Sequence, residues 1–288
     1  SGLVSVEVTQ NDQQYTESAV RFEYEDVGAY RLDPATGPVG GGTTVLVRGA
    51  GLHEASPGGG DHGAFCQFAG LDVVGASFDG EGTVRCVTPA TSHPGAVALH
   101  VVHGDAVVAA PAAFVFHARM WVRRIEPPTG TQSGGTLVRV LGSGFDAAAA
   151  LVVRVGTHAL VRANVLSSTM LECVTPSQTQ LGVLALELSA NEQDFSADEV
   201  LFEYQPAVRL DDAAPARGPS SGGSSVALSG AGFSRRSAML GYTYARFNTT
   251  KVPVVRVSAS ELRCTAPAHA SGLVSVEVTQ NDQQYTES

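Results

Sequence analysis

Few residues in this chain have the types and spacing that catalysis or metal binding requires. His100 and His103 fall in one predicted strand, but their odd separation places them on opposite faces, where they cannot easily share a metal ion. The sequence has no Gly-x-Ser-x-Gly elbow, His-Glu-x-x-His pair or phosphate-binding glycine loop, and the run from Gly58 to Gly63 is typical of a flexible insertion. We therefore predict no catalytic residue, no metal site and no cofactor, and a protein that is not an enzyme.

Acidic residues cluster at two places, one containing Glu23, Glu25 and Asp26 and the other Asp211 and Asp212. Calcium needs several oxygen ligands that converge on one point, and neither cluster has the ligand spacing of a calcium-binding loop. Solvated surface charge is the favoured interpretation. Calcium that stiffens joints between domains is the less favoured alternative.

Composition argues against a nucleic-acid-binding protein and against a membrane-spanning segment, and it predicts the fold class. The formal net charge is −10 and Lys251 is the only lysine, which argues against a surface that binds nucleic-acid phosphates. The longest apolar stretch, Ala106 to Phe116, is shorter than the about 20 residues that span a bilayer, so we expect no membrane insertion in this segment. Short, alternating apolar runs between 32 glycines and 14 prolines predict an all-β chain.

The first eighteen residues, Ser1 to Ser18, recur letter for letter as Ser271 to Ser288, which gives a period of 270 residues. A shared fold constrains the pattern of a sequence but not every exposed Gln and Asp. A recent copy of the coding segment is therefore the simplest origin of the identity. We expect the chain to be one full period plus an overlap from a longer array, with polypeptide on both sides.

A shorter repeat lies inside this period and carries landmarks in a fixed order. A glycine-rich stretch is followed by Cys-x-x-Pro, by a strand after a small-residue turn and by a closing strand with aromatic residues. The first three landmarks begin at Gly41, Gly134 and Gly222, at Cys86, Cys173 and Cys264, and at Gly95, Gly182 and Gly272. The closing strand is AAFVFH from Ala112 and VLFEYQ from Val200, whereas its third version, AVRFEYE, stands at Ala19.

This order divides the chain into a short segment and three modules. Residues 1–25 are predicted to be the C-terminal strands of a preceding module of the third type. Residues 26–117 form the first module, 118–205 the second, and 206–288 the third without its last strand. Because an isolated hairpin is marginal in water, we expect a continuing chain to complete the sheet; a strand from a docked neighbour is the alternative.

The landmarks resemble those of the IPT/TIG domain, an immunoglobulin-like fold found in plexins, fibrocystin-type surface proteins and Rel-type transcription factors. The resemblance depends on the order Pro-x-x-Gly, Gly-Gly-Thr or Gly-Gly-Ser, Gly-x-Gly-Phe or Gly-x-Gly-Leu, and Cys-x-x-Pro, in which Pro-x-x-Gly begins at Pro34, Pro127 and Pro215. It implies an immunoglobulin-like β-sandwich of about seven strands for each of the three tandem modules in the 270-residue period. Because the joints between modules are short, as from His117 to Val122, we expect the modules to be arranged as beads on a string in a semi-rigid rod.

The Gly-x-Gly landmark is predicted to frame a turn in which glycine takes a positive φ without a Cβ penalty. The residue after it is predicted to cap the core. The three pairs are Gly49 and Gly51, Gly142 and Gly144, and Gly230 and Gly232, followed by Leu52, Phe145 and Phe233.

Four cysteines are distributed unevenly over the modules. The second module has Val153 at the place of Cys66, and the third has Tyr244 or Ala245. In an extracellular sandwich this favours a disulfide between Cys66 and Cys86, with two buried thiols as the alternative. Cys173 and Cys264 have no partner in their own modules, and core thiols are favoured over bridges between neighbouring chains.

Asn248, Thr249 and Thr250 form the only sequon for an N-linked glycan. In a secreted or cell-surface protein we expect Asn248 to be glycosylated, while a chance occurrence of the tripeptide is the alternative.

These features predict a structural role in a long extracellular or cell-surface fibre, such as a filament, stalk or ciliary hair. Copies of the protein, end to end or side by side, are then its expected partners, with other surface proteins or glycans as further ones. The alternative is an adhesion or receptor ectodomain in which one module binds a ligand and the others are spacers. Rel-type DNA binding is disfavoured by the acidic charge and the expected disulfide.

Overall fold

The structure is a computed structural model that describes residues 2–17, 20–24, 28–50, 64–80, 82–103, 106–109, 113–156 and 159–287. It separates into two compact units, Ser1–Arg119 and Met120–Ser288. Apart from one short helix, the regular elements of the described residues are β-strands, so the prediction of an all-β chain is confirmed. The glycine-rich run 58–63 lies outside the described residues.

The first unit begins with an antiparallel pair of strands, β1 (Gly2–Ser5) and β2 (Arg21–Tyr24). Large apolar side chains on this pair stay exposed, with Leu3 at 58% and Phe22 at 51% of their full accessible surface. A single pair of strands has no second layer to cover its apolar face, which is the condition predicted for residues 1–25.

The first module contains ten strands in the described residues and buries its core between two sheets. The larger sheet has the order β11-β10-β6-β7-β8-β5-β3 and the smaller one β4-β12-β9. Its strands are β3 (Gly28–Asp33), β4 (Thr36–Pro38), β5 (Thr44–Ala50), β6 (Ala64–Phe68), β7 (Val73–Phe78), β8 (Thr83–Val87), β9 (Gly95–Val97), β10 (Leu99–His103), β11 (Ala106–Ala109) and β12 (Phe114–His117). Phe68, Phe114 and Phe116 pack edge to face in the core.

The second unit opens with a module of two facing sheets, β13-β15-β19-β18 and β14-β21-β20-β16-β17. Its strands are β13 (Trp121–Glu126), β14 (Thr129–Thr131), β15 (Leu137–Ser143), β16 (Val152–Val155), β17 (Ala159–Arg162), β18 (Asn164–Ser167), β19 (Met170–Val174), β20 (Gly182–Ser189) and β21 (Leu201–Gln205). Phe202 and Tyr204 of β21 are buried between these sheets with their ring centroids 5.0 Å apart.

The third module is one six-stranded sheet of the order β22-β23-β26-β25-β24-β27. It contains β22 (Arg209–Ala214), β23 (Ser225–Ala231), α1 (Arg235–Met239), β24 (Tyr244–Phe247), β25 (Thr250–Arg256), β26 (Glu261–Thr265) and β27 (Val276–Thr279). In the described residues it has no strand at the place that β12 and β21 take in the other modules.

The glycine-rich and Cys-x-x-Pro landmarks lie next to each other in space. In the second module the Thr136 amide donates to the Thr175 hydroxyl at 3.2 Å, and the Thr175 amide donates to the Thr136 carbonyl at 2.9 Å. Strand β19 ends at Val174, just before Pro176, so the proline marks the corner at which the chain leaves the sheet.

The two glycines of Gly-x-Gly have different roles. Gly144 has φ of +80°, as predicted, but Gly142 lies opposite the bulge between Val122 and Arg124, where a Cβ atom would collide with the Trp121 carbonyl. The prediction of a positive φ at both is therefore wrong for the first glycine, which is required for close backbone approach. The third module repeats this arrangement with Gly230 and Gly232, and Phe145 and Phe233 are buried as predicted, whereas Gly51 and Leu52 lie outside the described residues.

Candidate functional site

Cys66 and Cys86 are joined by a disulfide, with their Cα atoms 6.2 Å apart and both side chains buried. The bond connects β6 with β8, two strands that both pair with β7. At the place of Cys66, the second module has Val153, which pairs with Leu188, and the third has Ala245, which pairs with Val278. Ala245, and not Tyr244, is therefore the residue of the third module that takes the place of Cys66.

Cys173 and Cys264 are buried free thiols. Burial raises the pKa of Cys173 to about 12 and that of Cys264 to about 11, because the charged thiolate is disfavoured away from water. Both side chains belong to the cores of their own modules, as the core-thiol interpretation predicts.

Asn248 lies at the tight turn between β24 and β25, and it is exposed. Its φ of +53° is tolerated by asparagine in turns, and its backbone amide donates to the Ser275 carbonyl at 2.8 Å. Thr250, the third residue of the sequon, is also exposed at the start of β25.

Within the described ranges no group of three or more His, Cys, Asp or Glu side chains is placed to hold a metal ion. Asp211 pairs with Arg209 at 2.6 Å on the surface, while Glu25 and Asp26 lie outside the described ranges. The described residues contain no helix that is both long and apolar enough to cross a membrane.

A polar contact joins the second and third modules, and we call it the module joint. Its centre is the loop from Thr279 to Thr286. Asn281 shapes this loop, because its Oδ1 accepts from the amides of Gln283 and Gln284 at 3.1 and 3.0 Å. The copy of this loop at Thr9 to Thr16 has the same pair of bonds at Asn11, so the loop conformation is set locally by its own sequence.

Gln283 binds the backbone of the second module at the start of β15. Its Oε1 accepts from the Leu137 amide at 2.8 Å, and its Nε2 donates to the Leu137 carbonyl at 2.7 Å. The side-chain amide thus satisfies a backbone donor and acceptor together.

Thr136 is the second anchor of the loop, and its side chain is fully buried. Its hydroxyl accepts from Asn281 Nδ2 at 3.2 Å and donates to Gln284 Oε1 at 3.0 Å. The hydroxyl therefore both donates and accepts a hydrogen bond. Removal of either partner would leave a buried polar group without that bond, which costs stability.

A third cluster surrounds Ser237, a fully buried residue of α1. Its hydroxyl contacts Thr129 Oγ1 at 3.2 Å and the side-chain amide of Gln205 at 2.9 Å. Gln280 adds a contact through its carbonyl, which accepts from Thr129 Oγ1 at 3.2 Å, and its Nε2 donates to the Gly232 carbonyl at 2.9 Å. Arg236 lies 3.7 Å from Glu203 beside this cluster.

The clusters around Thr136 and Ser237 are networks of buried polar groups, and the exposed contact of Gln283 with Leu137 adds to them. Such networks are directional, so they select one relative placement of the two modules over others that would leave buried groups unpaired. The sequence alone does not indicate this role, and the sequence analysis describes the Gln residues of the repeat as exposed. Gln280 is instead 6% exposed, which corrects that description, and Asn281 beside it is 3% exposed.

The third module also has an open groove of about 510 Å³ beside its unpaired edge. Pro215, Phe247, Pro267 and Val274 are among the residues that line it. Leu273, at its rim, is fully exposed.

Comparison with known proteins identifies the domain family to which the three modules belong. The IPT/TIG domain matches residues 30–116, 121–204 and 209–288. Plexin-B2 of Mus musculus is 27% identical over 212 residues, which cover 71% of this chain and 11% of that protein. Fibrocystin-L of Homo sapiens is 23% identical over 282 residues, which cover 93% of this chain and 6% of that protein. The chain thus spans only a small part of the curated relatives it matches.

Among solved structures, the extracellular region of Plexin A4, domains 1 to 10, aligns with a TM-score of 0.42 and 19% sequence identity. The alignment covers 92% of this chain and 23% of that one.

Proposed function

Because the chain belongs to the IPT/TIG domain family, we propose that it is a spacer segment of an extracellular or cell-surface protein of the receptor or adhesion class. The observation that carries this proposal is the module joint, in which buried polar groups hold the second and third modules in one compact unit. A spacer with a fixed joint holds a binding surface at a set distance and direction, which a flexible linker does not.

Two further observations support an extracellular location. The Cys66–Cys86 disulfide belongs to an oxidising compartment, since disulfides are rare in reducing cytosol. The similarity to plexins and to Fibrocystin-L favours the same assignment.

The location is tested with antibodies raised against the purified protein. The proposal expects them to label intact, unpermeabilised cells of the source organism, with loss of the label after brief protease treatment of the cell surface. Labelling that requires permeabilisation would overturn the proposal. An antibody against a cytosolic protein serves as the control for cell integrity.

A second candidate function is favoured by the 270-residue recurrence of Ser1–Ser18. If the whole three-module period repeats as these eighteen residues do, it suits a structural fibre, such as a filament, a stalk or a ciliary hair, because repetition multiplies length. Copies of the protein are then its partners. Negative-stain electron microscopy of native material distinguishes the candidates: long fibres with a regular axial repeat support this one, and short, monodisperse particles support the receptor or adhesion spacer.

A further inference from the structure

The first module differs from the other two on the outer side of the sheet that contains β6 and β10. Cross-strand ion pairs lie on this side of the second and third modules: Arg154 with Glu187, and Arg246 with Glu277. In the first module the same two positions pair Gln67 with His100. The acid and the base of the ion pair are therefore both replaced.

An aromatic side chain covers the arginine of each ion pair. The guanidinium carbon of Arg154 lies 3.5 Å from the ring centroid of Phe195, and that of Arg246 lies 4.0 Å from the ring centroid of Tyr285. Both rings belong to the loop that follows the strand carrying the acid. At this point of the chain the first module has strand β11 instead, which pairs with β10 and so extends the sheet.

The outer side of this sheet in the first module carries no full charge. Alternate residues of β6, β7, β9, β10 and β12 point outward there. None of those described is Asp, Glu, Lys or Arg, and we call the surface they form the uncharged face. Its larger members are Phe65, Gln67, Val73, His100, Val102 and Val115. Phe65 and Val73 are 45% and 55% exposed, so the face presents apolar surface to water.

The register of the strands arranges this face in rows. Phe65 lies between Gly75 and Val102, which makes an apolar row, and Gln67 lies opposite His100 in the next row. A Cβ atom built on Gly75 meets no atom within 4 Å, so a recess lies beside the ring of Phe65. A two-fold axis parallel to the strands would place each row opposite the same row of a second copy. Apolar residues would then meet apolar residues, and polar residues would meet polar ones.

Charge favours a second copy of this chain as the occupant of the uncharged face. The chain has a formal net charge of −10, so two copies repel each other, and the repulsion is weakest where they meet without acidic groups. The corresponding faces of the other modules would have to bury their ion pairs, which costs desolvation free energy. A partner recognised by its charge would find no opposite charge on this face.

We propose that the uncharged face of the first module binds the same face of a second copy, so that two chains form a two-fold dimer by sheet-on-sheet packing. The face has fewer residues than the about 20–30 on each side of a standard interface, so the dimer is expected to be weak and to depend on concentration. The inference goes beyond the proposed spacer role. It applies equally to the fibre candidate, because it concerns one face of the first module only.

Sedimentation equilibrium of the full chain over a series of concentrations tests the inference. We expect a reversible equilibrium between monomer and dimer. Phe65→Glu is expected to weaken dimerisation about tenfold or more, because it places an unpaired charge in the apolar row. High salt is expected to leave the dimer intact, since it screens the repulsion between the acidic copies. A dimer held by ion pairs would instead weaken.

Three further variants identify the surface. Val73→Glu lies on the same face and is expected to act like Phe65→Glu. Leu160→Glu is the matched control, because Leu160 is 42% exposed on the corresponding sheet of the second module, and it is expected to leave the dimer unchanged. Phe22→Ser in the exposed hairpin of β1 and β2 is also expected to leave it unchanged. Calorimetry of each variant reports whether the modules stay folded.

A wild-type chain that stays monomeric over the whole series overturns the inference. So does a dimer that Phe65→Glu and Val73→Glu leave intact, or one that Leu160→Glu or Phe22→Ser weakens to the same extent. If Phe65→Glu fails to fold, Val73→Glu decides alone. The cell-surface location is tested separately by antibody labelling, so failure of the dimer and failure of that location can be told apart.

Discussion

The side-chain amide of Gln283 and the backbone of Leu137 form a two-point contact, with hydrogen bonds of 2.8 and 2.7 Å in opposite directions. The contact requires a planar amide at position 283 but makes no demand on the side chain at position 137. It fixes the loop of the third module against the edge of β15 and so joins two modules through a backbone feature that tolerates sequence change in the second.

Substitution Gln283→Ala is expected to lower the free energy of unfolding of residues 120–288 by about 1–3 kcal/mol, since it removes two hydrogen bonds with a net value of about 0.5–1.5 kcal/mol each. Trp121 is the only tryptophan, so its fluorescence during urea unfolding reports on this unit. The matched control is Gln13→Ala in the identical loop of the N-terminal hairpin, which is expected to change nothing. Equal effects of the two substitutions would contradict the account.

Alkaline pH is expected to destabilise the second unit. The pKa values of Cys173 and Cys264 are raised from an ordinary value of 9.0 to about 12 and about 11, so above pH 9 the unfolded chain loses protons that the folded chain retains. Stability is therefore full below pH 9 and falls as pH rises towards 11. Urea unfolding from pH 8 to 10.5 should show the decline, and Cys173→Val should make it shallower; a flat profile would contradict the assignment of both residues as buried thiols.

Reduction of the disulfide is expected to destabilise the first module alone. The bond closes a loop with a sequence separation of 20, for which the chain-entropy estimate is about 3 kcal/mol. In calorimetry, a reducing agent should lower the transition of the unit that contains Cys66 and leave the other unit unchanged, because Cys173 and Cys264 are already free. The double variant Cys66→Ala with Cys86→Ala should behave like the reduced protein. If the reducing agent also lowers the calorimetric transition of that double variant, the loss of stability does not come from the Cys66–Cys86 disulfide.

Asn248 is expected to carry an N-linked glycan when the protein is produced in a secretory pathway, since it is exposed at a hairpin turn. Treatment with an endoglycosidase should increase gel mobility, and Asn248→Gln should migrate like the treated protein before any treatment. A wild-type protein of unmodified mass would refute the prediction.

The identical copies of the repeat show how far sequence can predict this structure. The loop conformation at Asn11 and at Asn281 is the same, because local side-chain bonds determine it. Burial differs completely, since Val8 is 64% exposed and Val278 1% exposed. Local conformation follows from sequence, whereas burial depends on which other strands are present to cover a face.

The sandwich modules and the Cys66–Cys86 pair could be anticipated because glycine, proline and cysteine act through backbone and covalent constraints. The module joint could not, because Gln280 and Asn281 are buried by contacts with residues 151 and 145 positions away in sequence. A pattern of glutamines looks the same whether it is solvated or paired. The roles of Thr129, Thr136 and Ser237 were missed for the same reason.

The module joint is expected to hold the second and third modules in one fixed arrangement. Double electron–electron resonance between nitroxides at Gln180→Cys and Ala259→Cys, both exposed positions, measures that arrangement directly. We expect one narrow distance distribution that broadens when Asn281→Ala and Gln283→Ala are added, but not when Asn11→Ala and Gln13→Ala are added. A distribution that is already broad in the labelled protein without these changes would contradict it.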